Sequence, residues 1–383
     1  MQKKVYFTGT LPRKGRVPFG GGEVGNMRTI AMLRAYGYEV MLVRRIISTA
    51  NDSKMTSLIS YPVRMIINLI QWFGILIFAS RKNGLAHISG FYGNTILIET
   101  FQIVIAKLLG HKIIYELRGG GAINFYKKGS YLYRAQFRYI IRTADFLLSQ
   151  GAENVPFLRT LCDTPIHTYP NYVQSGSYPH KTPLKPVNNI NLIFFGRIEK
   201  YKNPLMIVEI TSILQKSFNN IRLTMVGNGQ EDLIKKVEMA MQQVLLPGSF
   251  VLMPGVNHEK MKDLLGDKHF FIFPSEQPRE GVSNALIEAM SYGIIPIASP
   301  QGFNRSTIGD DSLIINEIKA ELYASRIAAI IQNNEIDYYS RFVHNRFLDN
   351  FTETIVVERT IAVYDNIFRN KLINSDSGNV TKN

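Results

Sequence analysis

The sequence predicts an α/β fold of two parallel-sheet domains. Three observations carry this expectation. The chain is 383 residues long, enough for two domains with full cores. Short apolar runs alternate with longer helix-patterned segments, the order of β-α-β units. The alternation stops around residues 170–190, where Pro170, Pro179, Pro183 and Pro186 stand among Gly, Ser and Asn, and then restarts.

In the first half, Val5–Thr8 reads as a strand, Gly20–Gly25 as a glycine-rich turn, and Met27–Tyr36 as a helix that Gly37 ends. Glu39–Val43 is the next strand. The segment Met65–Ser80 is very apolar, 16 residues long, and bounded by Arg64 and Arg81. A spanning helix wants about 20 residues, so this one reads as a buried or half-buried helix, with in-plane membrane contact as the alternative. Leu85–Ser89 and Lys112–Leu117 read as strands on either side of a helix Thr95–Leu109, and Tyr131–Thr143 as a helix before the strand Phe146–Ser149.

In the second half the expected strands are Asn191–Phe195, Ile221–Val226, Phe250–Met253, Phe270–Phe273 and Ile295–Ser299. The helices between them are Pro204–Lys216, Gln230–Val244, His258–Leu265 and Asn284–Tyr292. A terminal helix covers roughly Thr354–Phe368, before a polar and frayed end. The expected domains are 1–172, a linker 173–190, a second domain 191–353, and a terminal segment 354–383.

Charged residues make up 19% and hydrophobic ones 45%, the balance of a folded protein. The net charge of +14 is uneven. Residues 1–185 hold 24 Lys and Arg against 8 Asp and Glu, net +16; residues 186–383 hold 20 against 22, net −2. A basic half implies an anionic partner. With no RNA-binding aromatic signature and no DNA-binding helix motif, a membrane surface or a phosphorylated ligand fits better than nucleic acid. Cys162 is the sole cysteine, so an intrachain disulfide and a Cys-rich zinc site are excluded. The seven histidines show no ligand spacing, and we expect no metal and no resident cofactor. The chain enters a strand without a signal-peptide core, which fits a cytoplasmic protein.

The segment from Phe271 to Met290 carries the most chemistry. An apolar run ends at Pro274, a polar loop closes with Glu280-Gly281, and Ser283 stands as N-cap of a helix. Glu280 and Glu288 flank that helix start, whose amides and dipole suit a phosphate. Carboxylates beside an anion site could hold sugar hydroxyls while the amides hold a diphosphate. Gly196-Arg197 follows a strand, with Lys202 five residues further on. Two cations at a strand end suit a diphosphate, with solvated surface charge as the plain alternative. Gly227-Asn-Gly229 is either a close approach to a ligand or an ordinary turn.

Other motifs carry less. Gly20-x-Gly22-x-x-Gly25 matches a dinucleotide fingerprint, but it lies far from the preceding strand, and the next strand ends in Val43-Arg44-Arg45 with no acid for a ribose. A phosphate or substrate loop, or a structural turn, fits it better than NAD. Gly281-Val-Ser283-Asn-Ala285 lacks the last glycine of a nucleophile elbow. Gly309-Asp310-Asp311 reads as a turn rather than a metal site.

In its ordered motifs the chain resembles the retaining GT-B glycosyltransferases of family 4, the group 1 glycosyltransferases. The motifs are Phe194-Phe-Gly-Arg-Ile-Glu-Lys-Tyr-Lys202, Leu223-Thr-Met-Val-Gly-Asn-Gly229, Gly255-Val256, and Glu280 and Glu288 within Glu-Gly-Val-Ser-Asn-Ala-Leu-Ile-Glu-Ala-Met. The resemblance implies two Rossmann-like domains and a nucleotide diphospho-sugar donor bound by the second. Arg197 and Lys202 would bind the diphosphate with the amides of Asn284, Ala285 and Leu286. Glu288 would hold the ribose, main chain near Val256 the base, and Glu280 the donor sugar. Gly20–Asn26, with Gly21 and Gly22, looks like the family's glycine-rich loop beneath the phosphates. Pro170-Asn171 looks like the segment that enters the hinge.

Two positions depart from the family pattern. Leu117-Arg118-Gly119 stands where many members carry a histidine, and arginine cannot act as a general base. We expect Arg118 to pair with an anion of the donor or acceptor. Asn203 replaces a usual glycine after the lysine. The implied activity is metal-independent transfer of a sugar to a glycan acceptor with retention, the diphosphate oxygen taking the incoming hydroxyl's proton. The basic half suits a polyprenyl-diphosphate-linked acceptor at the inner membrane face, as in O-antigen or capsule assembly. The rival readings are a non-catalytic binding protein on the same fold, and a nucleotide-sugar epimerase or phosphorylase.

Overall fold

The computed structural model describes residues 2–12, 21–45, 54–79, 84–90, 93, 95–277 and 279–376. Gly20, the Ser80-Arg81 end of the apolar segment and the polar tail from 377 lie outside the described residues. The chain divides into two compact units: Met1–Pro170 with Val357–Asn383, and Asn171–Val356.

Unit 1 is built on a six-stranded sheet. Its elements are β1 (Lys4–Thr10), α1 (Gly21–Ala35), β2 (Glu39–Arg45), α2 (Lys54–Ile77), β3 (Gly84–Gly90), α3 (Ile96–Leu108), β4 (Lys112–Leu117), α4 (Ala122–Lys128), α5 (Tyr131–Thr143), β5 (Phe146–Ser149), α6 (Asn154–Arg159) and β6 (Ile166–Thr168). The strands run in the order β2-β1-β3-β4-β5-β6, all parallel. The inner strands β1, β3 and β4 are buried at successive positions rather than alternately, as strands covered on both faces are. β3 is buried along its whole length. Ser130 caps α5 by accepting from Tyr133 N at 3.2 Å. The terminal helix Glu353–Asp376 completes this unit from Val357 on. Its Tyr364 hydroxyl lies 2.6 Å from His87 Nδ1, and Asp365 accepts from Tyr38 at 2.6 Å.

α1 starts at Gly21, not at Met27 as the glycine run suggests. Gly25 lies inside the helix because a Cβ there would fall 1.8 Å from Arg118 Nη1. The glycine serves close packing of a side chain within unit 1.

Unit 2 holds β7 (Ile190–Phe195), α7 (Pro204–Gln215), β8 (Ile221–Val226), α8 (Glu231–Val244), β9 (Phe250–Met253), α9 (His258–Leu265), β10 (Phe270–Phe273), α10 (Asn284–Ser291), β11 (Ile295–Ala298), α11 (Asn304–Ile308), α12 (Ala320–Gln332) and α13 (Ile336–Asn350). Its sheet runs β11-β10-β7-β8-β9, again all parallel. Phe194, Phe271 and Phe273 fill the middle of the core, with Phe271 and Phe273 stacked at 5.3 Å. Pro204 opens α7 at its first position, where a missing N–H costs nothing. The strand order reverses between β7 and β10, which puts a switch point at the sheet's C-terminal edge. In open parallel sheets that edge is where ligands bind. Among the described residues, no helix is long and apolar enough to cross a membrane.

Candidate active site

The loops that leave β7 and β10 bring most of the expected donor residues to one edge of unit 2. After β7 the chain turns at Gly196, whose φ of 129° only glycine adopts readily. Arg197 follows, exposed, and pairs with Glu199 at 2.9 Å. A short 3₁₀ turn, Lys200–Lys202, then aims Lys202 inward. Its ammonium lies 4.5 Å from the centre of the Phe273 ring and forms an ion pair with Glu280. Ser275 donates to the same carboxylate at 3.2 Å. The donor pair predicted separately, a cation for phosphate and an acid for sugar, is thus one unit here.

Asn203 explains its own departure from glycine. It holds φ 50°, ψ 52°, the left-handed region that Asn tolerates best among residues with a Cβ. Its side chain donates to Pro274 O at 2.9 Å and Glu276 Oε2 at 2.8 Å, tying the β7 loop to the β10 loop. A glycine would keep the turn and lose both bonds.

The acidic loop is held from beneath. Gly302, at φ 60°, passes so close that a Cβ would fall 2.2 Å from Glu280 O. Ser299 donates to Ser275 O at 2.6 Å. Ser283 caps α10 by accepting from Leu286 N, and Asn171 donates to the preceding carbonyl of Val282 at 2.7 Å. The amides of Asn284 and Ala285 lie in the first turn, where helix geometry points N–H groups out of the helix end. Glu288 stands half-buried one turn further along α10.

Gly227-Asn-Gly229 is a backbone device. A Cβ on Gly227 would meet Gly196 O at 1.8 Å, and one on Gly229 would meet Ile198 O at 2.2 Å. Asn228 accepts from Gly255 N at 3.0 Å. The two glycines therefore let the ends of β7, β8 and β9 close on each other. Beside them, Gly227–Gly229, Leu252–Pro254 and the α8 residues Glu231, Ile234 and Glu238 line a cavity of about 360 Å³. Val256, half-buried, follows that wall.

In unit 1 the geometry around Arg118 differs from the expectation of a ligand anion. Arg118 is 4% exposed, and its anion is Glu116 of β4, at 2.6 Å. Residues two apart on a strand share a face, so the pairing follows from the register. Arg118 also donates to Thr29 at 2.9 Å and lies 5.7 Å from the Tyr169 ring. His87 Nε2 meets Glu116 at 3.0 Å. Burial alone would raise the Glu116 carboxyl, but Arg118 and His87 outweigh it and hold the group below its ordinary value. Among the described residues, Arg118 Nε has no hydrogen-bond partner. Gly21 and Gly22 form the first turn of α1, after β1.

Ser275, Asn203, Gly302 and Glu116 are the members that motif spacing misses. Ser275 and Asn203 neighbour the motifs, whereas Gly302 acts from a loop that no motif covers. Asp310 caps a turn by accepting from Ser312 N at 2.8 Å, in keeping with a structural role for the Gly309-Asp310-Asp311 loop.

Residues 180–346 match the family model of the glycosyl transferases group 1. Unit 2 carries a group 1 glycosyltransferase domain. Arg197, Lys202, Val256, Glu280 and Glu288 all fall inside the matched range, and Arg118, Gly21 and Gly22 outside it. Over 181 residues the chain is 32% identical to the capsular polysaccharide biosynthesis glycosyltransferase CapH of Staphylococcus aureus, covering 43% of this chain and 50% of CapH. It is 21% identical over 219 residues to a phosphatidylinositol N-acetylglucosaminyltransferase subunit of Arabidopsis thaliana, 56% of this chain and 46% of that protein. The chain spans about half the length of these curated relatives.

Around the group 1 domain the likeness to solved structures is one of fold. Sucrose-phosphate synthase of Thermosynechococcus elongatus superposes with a TM-score of 0.71 at 14% identity, over 96% of this chain and 100% of that one. Anabaena HepE, solved in complex with UDP, gives 0.67 at 11% identity over 95% and 100%. The fold class is GT-B, two parallel-sheet α/β domains.

Proposed function

We propose that the protein transfers a sugar from a nucleoside diphospho-sugar to a glycan acceptor, retaining the anomeric configuration. The observation that carries this reading is the Lys202–Glu280 pair, set beside the N-terminus of α10 in a group 1 domain. A cation, an acid and helix amides at one strand edge are the parts a diphosphate leaving group and its sugar need. Arg197 and Lys202 hold the diphosphate with the Asn284 and Ala285 amides, while the expected Leu286 amide is taken by the Ser283 cap. Glu280 orients the sugar, Glu288 the ribose, and the main chain near Val256 the base, next to the α8 cavity. The leaving diphosphate oxygen takes the acceptor hydroxyl's proton, and cations in place of a metal offset its charge. HepE and the pneumococcal transferase GtfA were each solved with UDP, which favours a uridine donor among those to test first.

The relative CapH and the basic first half favour a surface-polysaccharide acceptor carried on a polyprenyl diphosphate at the inner membrane face. The test is to incubate the full chain with a panel of nucleoside diphospho-sugars and lipid-diphosphate-linked glycans. Nucleoside diphosphate release that requires acceptor, with retained configuration by NMR, supports the reading. Binding without release would make this a non-catalytic relative, and donor conversion without acceptor an epimerase or phosphorylase.

A further inference from the structure

We propose that unit 1 seats the outer faces of α2, α3 and α5 on an anionic lipid bilayer, with α2 lying in the plane of the membrane. This deepens the membrane part of the proposed function and does not depend on the donor chemistry.

α2 is apolar on both sides, which a surface helix of a soluble protein is not. Its inner face packs Asn68, Trp72 and Leu76 into the unit, with Trp72 Nε1 donating to Gln102 O of α3 at 3.0 Å. Its opposite face presents Val63, Ile66, Ile67, Ile70, Phe73 and Ile77, all exposed. These positions recur every three or four residues, so they form one stripe along the helix. Phe78, just past its end, is 91% exposed. α3 packs beside α2 and α5 beside α3, so the three helices form one layer over the sheet. The stripe widens across it through Leu97, Phe101 and Leu108 of α3 and Tyr131 and Leu132 of α5. An apolar patch of this breadth is uncommon on a free surface.

The surrounding charge selects the occupant. From Lys54 to Asp145 the chain holds 12 Lys and Arg against three acids, Glu99, Glu116 and Asp145. Each acid is taken up within the unit. Glu99 meets Arg45 at 2.9 Å, Glu116 meets Arg118, and Asp145 meets Lys112 at 2.7 Å. Exposed Lys107 of α3, Lys127 and Lys128 of α4 and Arg142 of α5 add positive charge on these helices and the neighbouring α4, with no uncompensated acid from this span. A second copy docking face to face would set like charges against each other. An anionic bilayer answers both features, taking the apolar stripe into its acyl boundary and the cations onto its headgroups.

The test uses the full chain with vesicles of phosphatidylglycerol and phosphatidylcholine, and with phosphatidylcholine alone. The paired variant Ile70→Ser and Phe73→Ser removes two outward side chains. The chain's single tryptophan, Trp72, faces inward between them, so unchanged emission reports that the helix still packs. We expect flotation with anionic vesicles that high salt reduces but does not abolish, since only the charge part is screened. The paired variant should lower the salt-resistant bound fraction by about tenfold. Failure of the wild-type chain to float at low salt, or unaltered flotation of a variant with native Trp72 emission, overturns the proposal. A concentration-dependent dimer that the same variant dissolves also overturns it, in favour of a second copy. Nucleoside diphosphate release, measured on the same preparations, separates the two readings. Flotation without release leaves docking standing and sinks the transferase reading, and release without flotation does the reverse.

Discussion

Lys202 and Glu280, 78 residues apart, form one ion pair whose side chains are 13% and 12% exposed. The pair cancels the charge of both groups. An arriving diphosphate would draw the ammonium away and leave the carboxylate to accept from sugar hydroxyls. Lys202→Met should therefore lower transfer by about 10²–10³-fold, the scale of one lost electrostatic donor. It should also lower stability by roughly 1–3 kcal/mol, because Glu280 keeps its desolvation without its cation. Thermal unfolding and initial rates measure the two effects. Wild-type turnover would remove Lys202 from the donor site.

Arg197 should separate function from stability. Its side chain is 70% exposed and its Glu199 contact is a surface pair, worth little to the fold. Arg197→Ala should leave unfolding within about 0.5 kcal/mol of wild type. Transfer should still fall by at least about tenfold, since the guanidinium fork meets the diphosphate only when donor is bound. Equal rates in mutant and wild type would return Arg197 to ordinary solvated charge.

Arg118 makes the opposite prediction. It is buried against Glu116, so Arg118→Ala should destabilise unit 1 by about 3–5 kcal/mol, the cost of stranding a buried charge. Adding Glu116→Gln should restore part of that loss. If the unpartnered Nε also serves a ligand, the restored double variant will fold and still transfer slowly. A double variant with full activity would confine Arg118 to a structural role.

How much of this was legible in the sequence depends on the range of the interaction. β9 and β10 stand where their apolar runs end at Pro254 and Pro274, because strand ends are local events. The start of α1 was hidden. Each glycine weakens a helix by about 1 kcal/mol, yet Gly25 is required where Arg118 packs against the helix. The sequence reading assigns no element between the strand ending at Ser299 and the terminal helix, so α12 and α13 are found only in the structure, joined by a turn that Asn334 makes at φ 56° without Gly or Pro. In the site, Arg197, Lys202, Glu280 and Glu288 were readable as motif members. That Lys202 binds Glu280 was not, because no local spacing links the loops after β7 and β10. The Glu116–Arg118 pair was readable in principle, from two charges alternating on one strand.

Metal dependence has a direct readout. On the proposed reading Lys202, Arg197 and the α10 amides would offset the charge of a leaving diphosphate, so transfer should persist in EDTA at close to the untreated rate. Complete loss that Mg²⁺ or Mn²⁺ restores would show that a divalent ion shares the diphosphate.

The last prediction concerns pH and lies at the other end of the unit 2 sheet from the donor loops. Lys185 donates to Gly293 O at 2.7 Å, and burial, opposed by Asp267, lowers its ammonium to about 7. His269, next to the start of β10, is lowered to about 4, first by burial and then by Lys185. Both groups are bases held neutral by the fold, so the unfolded chain binds more protons than the native one. For Lys185 the window runs from its ordinary 10.5 down to about 7. The stability is fully present above the upper limit, falls as pH drops through the window, and is constant below it. For His269 the window runs from 6.5 down to about 4. One proton gives a slope of at most about 1.4 kcal/mol per pH unit. Denaturant unfolding of the wild type should therefore lose stability from pH 10 to 7 and again from 6.5 to 4. Lys185→Met keeps the stem and removes the titration, so it should flatten the upper window while leaving the lower one. A wild-type curve that is flat between pH 7 and 10, or a Lys185→Met curve that keeps the wild-type slope there, would show that the ammonium stays charged in the folded protein.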